Sequence, residues 1–184
     1  ADELEKIRKQ MITGLQAAKD DPNAISGNVV NRLMYGKDHP YGDIETEVSI
    51  KNVTLNDIKQ YFNTYWKPNI SYLVFVGDIA PAEAKQLAEK YFSNWKKGNV
   101  PEKTYAMPAP PTKTYIALVD RPASVQSLIK MVTPVRLKPG APNAIPASVM
   151  NNILGGSGGR LYENLREEHG FTYGAYSSLS PDKM

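Results

Sequence analysis

The chain has 184 residues, enough for one large domain or for parts of two. Its 41% hydrophobic and 22% charged content exclude a disordered chain, and a formal charge of +3 from scattered Lys and Arg excludes a nucleic-acid footprint. No apolar run nears the ~20 residues that a membrane span needs, and the absence of cysteine excludes disulfides and thiolate metal sites.

The first segment carries Leu4, Ile7, Met11, Ile12 and Leu15, the stripe of an amphipathic helix. It opens on this charged helix with no visible signal peptide and reads as beginning mid-helix, so the chain is expected to be a piece of a longer protein. The compartment stays undecided, with the periplasm or cell envelope as a guess. Pro22 cannot continue a helical ladder and ends the first helix near Lys19-Asp20-Asp21. A second helix is expected over 24–35, stopped by Gly36 and followed by the turn-rich Asp38-His39-Pro40-Tyr41-Gly42. Thr54 with Asp57 resembles a capping box and opens a helix carrying Leu55, Ile58, Phe62 and Tyr65. The run 71–77 is rich in β-branched and aromatic residues between turn residues and predicts a strand. Pro81 suits the first position of a further helix carrying Ala84, Leu87, Ala88, Tyr91 and Trp95.

From Lys96 to Thr114 the periodicity dissolves, and Pro101, Pro108, Pro110 and Pro111 mark an extended linker. Strands are expected at 115–119 and 125–132, a helix over 143–154, a second helix from Arg160, and a strand after Gly170. Mixed helix and strand units on either side of a proline linker predict an α+β fold of two incomplete domains, 1–105 and 113–184, joined by a Pro-rich linker at 106–112.

The glycine run Gly155-Gly156-Ser157-Gly158-Gly159 lacks the Lys-Ser or Lys-Thr of a P-loop and the leading strand of a dinucleotide fingerprint. It reads as a mobile or close-packed hinge between two helices. The two histidines, His39 and His169, stand far apart, and Glu167-Glu168-His169 lacks the second histidine of an inverted zinc motif. No metal site is expected in this chain. Asp20-Asp21 reads as a solvated helix end, and Tyr61, Phe62, Tyr65 and Trp66 read as packing residues at helical spacing.

Arg166 falls in the last turn of a helix and Tyr173 early in the segment that follows, with Gly170 between them to reverse the chain. A guanidinium and a phenol are the donors that a carbonyl oxygen requires as it gains negative charge during amide hydrolysis. The competing reading pairs Arg166 with Glu167 or Glu168 and lets Tyr173 fill a sheet face. Chemistry alone favours that second reading.

The stretch from Asn152 to Tyr173 resembles the glycine-rich hinge, helix and Gly-x-x-Tyr segment of the M16 metallopeptidases, the pitrilysin, insulinase and mitochondrial processing peptidase group. Asp20-Asp21-Pro22, Tyr35-Gly36, His39-Pro40-Tyr41-Gly42, Tyr65-Trp66-Lys67-Pro68-Asn69 and Val76-Gly77-Asp78 resemble further stretches of that family, in family order. The resemblance implies two partial M16-type (LuxS/MPP-like) α/β sandwich domains, each a mixed sheet packed by helices. It implies a zinc-dependent metalloendopeptidase acting on peptides or unfolded proteins, to which this half supplies Arg166 and Tyr173 as carbonyl-binding, oxyanion-stabilising residues and Gly155, Gly156, Gly158 and Gly159 as the hinge.

The same resemblance places zinc in another segment, a zinc-bearing half that is either fused upstream or a separate subunit. This chain has no His-x-x-Glu-His, and the position of the family's downstream zinc glutamate reads Thr13-Gly14-Leu15. The chain alone is therefore expected to be inactive. An assembly or scaffold subunit of the same fold is the rival reading, and a bare peptide-binding module is a third.

Overall fold

A computed structural model describes residues 2–181. It forms two compact units, Ala1–Thr104 with Ser124–Leu128, and Tyr105–Ala123 with Ile129–Met184.

The first unit is built of helices. α1 (Asp2–Ala18) begins with three acidic residues, which suit the positive end of the helix dipole. α2 (Pro22–Tyr35) has Pro22 in its first turn and Asp21 as its N-cap, whose carboxylate accepts from the Asn23 N–H at 2.9 Å. The acid is thus a cap. Gly36 closes α2 at φ +78, a backbone angle that a residue with a Cβ rarely adopts. A 3₁₀ turn, Pro40–Gly42, packs back on α2, where the Arg32 guanidinium donates to the Gly42 carbonyl at 3.0 Å.

α3 (Glu47–Asn52), which the periodicity did not announce, is opened by a capping box between Thr46 and Ser49. It contributes Ile50, one of two buried apolar side chains among the described residues. Arg8 reaches from α1 to the end of α3, donating to the carbonyls of Ile50 at 3.4 Å and Val53 at 2.6 Å while pairing with Glu5. A cation there satisfies carbonyls that a helix end leaves without intrahelical partners. α4 (Leu55–Tyr65) carries the expected Thr54–Asp57 box, and α5 (Pro81–Phe92) starts at the expected proline. Between them Trp66 stacks on Phe62 and lies 5.7 Å from Trp95, whose indole N–H donates to the Trp66 carbonyl.

The second unit has α6 (Ala144–Gly155), the short α7 (Arg160–Tyr162) and a π-helical turn, Glu163–Glu168, that continues it. Leu137 is its buried apolar residue.

The expected α+β architecture is corrected by this structure. Among the described residues there is no strand and no sheet, so the mixed sheets of two α/β sandwiches are absent. The runs 71–77, 115–119 and 125–132 and the segment after Gly170 carry no regular structure, and the large apolar side chains of the three runs lie open, from 97% exposed at Tyr72 to 41% at Phe75. The physical reason is that β preference is a fit to a pleated, half-buried surface, and a strand exists only where a partner supplies its ladder. Helices make their hydrogen bonds within one segment, so the helical expectations needed no such partner.

Candidate functional site

The site is assembled by the end of one helix and the chain reversal after it. The π turn widens the helix terminus, with the His169 N–H donating to the Asn164 carbonyl at 3.2 Å, and the Phe171 N–H then closes the helix end by donating to the Leu165 carbonyl at 2.9 Å. Such widened turns recur at functional sites. Gly170 follows at φ +64, the left-handed conformation that lets the chain turn back.

The reversal brings the two expected residues together. The Arg166 guanidinium carbon lies 4.8 Å from the centroid of the Tyr173 ring. It lies 4.8 Å from the Tyr162 ring as well, and Arg166 Nη1 donates to the Tyr162 hydroxyl. A cation against aromatic faces is attracted by their quadrupoles, and here two rings hold one guanidinium. The competing pairing is present too, since Arg166 Nε stands 3.5 Å from Glu167 Oε1. One donor faces that carboxylate, while Tyr173 remains 85% exposed and fills no sheet face.

Tyr162 is the residue that sequence reasoning missed. Its signal was the spacing to Arg166, four residues on along a helical segment, which places the two side chains on one face.

The glycine run lies at the other end of α7. Gly155 is buried, and a Cβ there would collide with the backbone nitrogen and side chain of Ser177, whose own Cβ would be 2.6 Å away. The Ser177 segment is tied down by three bonds: its N–H donates to the Gly155 carbonyl at 3.2 Å, its hydroxyl to the Asn151 carbonyl at 3.1 Å, and Asn151 Nδ2 to its carbonyl at 3.3 Å. Gly159 is also tight, with a Cβ 3.0 Å from the Gly156 backbone, and a Cβ at Gly156 would meet Asn152. Gly158 has open space but sits at φ +69.

The donor set does not fit zinc. Among the described residues no group of three or more His, Cys, Asp or Glu side chains is placed to hold a metal ion. His39 is buried, with Nδ1 accepting from the Tyr41 N–H and its ring stacked on Tyr35. His169 stacks on Phe171 at 5.0 Å. Gly14 offers no side chain at all. A cavity of about 660 Å³ in the first unit is lined by Leu4, Ile7, Met11, Ile50 and Ile58, with Arg8 at its wall. Glu3, Asp43, Glu45 and Ser49 line it as well, and its lining holds neither a histidine nor a cysteine.

Residues 52–184 match the family described as the peptidase M16 inactive domain. The chain belongs to the M16 peptidase family. Among M16 relatives it is similar to the "uncharacterized zinc protease YmxG" of Bacillus subtilis, at 25% identity over 95% of this chain and 42% of that protein. It is similar to the "non-peptidase homolog YmxG" of Helicobacter pylori, at 23% identity over 94% of this chain and 40% of that protein. A crystal structure of the peptidase M16 inactive domain from Pseudomonas fluorescens superposes with a TM-score of 0.77 at 26% identity, covering 98% of this chain and 44% of that one. The chain thus spans about two-fifths of the length of the curated M16 relatives it matches. Among the described residues no helix is long and apolar enough to cross a membrane.

Proposed function

We propose that this chain is the substrate-gripping part of an M16 metalloendopeptidase and that Arg166 and Tyr173 hold the scissile carbonyl of a peptide or unfolded protein. The observation that carries the reading is the Arg166 guanidinium lying on the Tyr173 ring, beside a phenol exposed to solvent. Membership of the inactive-domain family, residues 52–184, supports it.

The chemistry asked of this chain is binding and polarisation. A fixed positive charge and a phenolic donor stabilise a carbonyl oxygen more strongly as it turns into an oxyanion, and each such donor is worth about 3–4 kcal/mol. Attack on the carbonyl falls to another segment of the complete enzyme, where its zinc belongs too. The run from Gly155 to Gly159 sets the angle between α6 and the Arg-bearing helix, acting as the joint of the site.

The test is kinetic. In the complete protein, Tyr173→Phe is expected to lower kcat by about a hundredfold or more while the circular dichroism spectrum is retained. An unchanged kcat refutes the assignment.

A second reading rests on the Helicobacter pylori relative, which is named a non-peptidase homolog. In that reading the complete protein keeps the fold as an assembly subunit. Absence of peptide cleavage by the purified complete protein, with and without added divalent metal, would select it.

A further inference from the structure

Resting on the reading above, the geometry points to Tyr162 as a positioning residue that aims Arg166 and leaves one nitrogen, Nη2, as its substrate donor. A guanidinium offers five N–H groups in a rigid plane, so engaging some of them fixes where the rest point. Nε faces Glu167 Oε1 at 3.5 Å, and Nη1 donates to the Tyr162 hydroxyl. Among the described residues nothing engages Nη2. The ring faces of Tyr162 and Tyr173, each 4.8 Å from the guanidinium carbon, remove its freedom to tip out of plane. The side chain is 36% exposed, so the remaining donor is open to a ligand.

Each of the three neighbours contributes a different constraint. Glu167 supplies a charge at one edge, Tyr173 supplies a face, and Tyr162 supplies both a face and a hydrogen-bond acceptor. Removing the Tyr162 hydroxyl frees Nη1, and the fork can then turn without losing its ring contacts. Pre-orientation of this kind is felt in substrate affinity, because an unaimed arginine must be ordered when the peptide arrives.

The experiment uses the complete protein and a fluorescein-labelled unstructured peptide, with Kd read by fluorescence anisotropy. Arg166→Gln is expected to weaken binding about tenfold, and Tyr162→Phe about three- to fivefold, with Tyr162→Leu weaker still because the ring is lost as well. The double variant Tyr162→Phe with Arg166→Gln is expected to bind no more weakly than Arg166→Gln alone. That non-additivity is the readout that a merely structural role would not produce. Multiplying effects, or an unchanged Kd in Tyr162→Phe beside a weakened Arg166→Gln, overturn the role of Tyr162 and leave the carbonyl-binding reading standing. An unchanged Kd in Arg166→Gln removes the carbonyl-binding reading itself, and the positioning role with it.

Discussion

Replacing Gly155 by alanine adds one methyl group where the structure has no room for it. The new Cβ would meet the Ser177 nitrogen, hydroxyl and Cβ, and backbone on both sides leaves little to give way. The Ser177 segment must therefore lift from α6, breaking the bonds to the Gly155 carbonyl, the Asn151 carbonyl and the Asn151 side-chain amide. At about 1 kcal/mol net for each hydrogen bond, that loss is about 3 kcal/mol. Alanine returns at most about 1 kcal/mol through its better helix propensity at the last residue of α6, so the net destabilisation is about 2 kcal/mol. Urea unfolding would read it as a lower midpoint at unchanged slope, and hydrogen exchange would show the Ser177 amide losing protection. Gly14→Ala is the internal control, because a Cβ there meets nothing within 4 Å in the middle of α1 and should stabilise by about 0.5–1 kcal/mol. If Gly155→Ala behaves like Gly14→Ala, the packing of Ser177 across the end of α6 is refuted.

Two further predictions concern the first unit. Asp57 accepts from the hydroxyl and the backbone N–H of Thr54, and these bonds hold its carboxyl below the usual aspartate value. Since the folded-state pKa is the depressed one, the cap's contribution is complete above the ordinary aspartate pKa and is lost as pH falls through the lower native value. Asp57→Asn should lower stability at neutral pH and flatten the acid limb of a stability profile, and an unchanged limb would count against the cap. Arg8→Met removes the donors to the Ile50 and Val53 carbonyls and should cost about 1–2 kcal/mol, measurable in the same urea titration. No loss of stability in that variant would show that water serves those carbonyls equally well.

The sequence by itself determined the features that a single segment can satisfy. Thr54, Pro22, Pro81 and Gly36 set helix ends because a cap or a fixed φ acts within a few residues. The order of motifs along the chain pointed to the family, and the resemblance to that family, carried by the spacing of Arg166, Gly170 and Tyr173, pointed to the candidate pair. Three things were decided only in three dimensions. The runs 71–77, 115–119 and 125–132 read as strands, yet a ladder needs a second backbone, and no local pattern specifies where that backbone is. The wide π turn and the tight seat of Gly155 against Ser177 depend on backbone hydrogen bonds and a close approach that residue names do not encode. Tyr162 joined the site because a four-residue spacing permits a contact, whereas only the folded helix end placed both rings on one guanidinium.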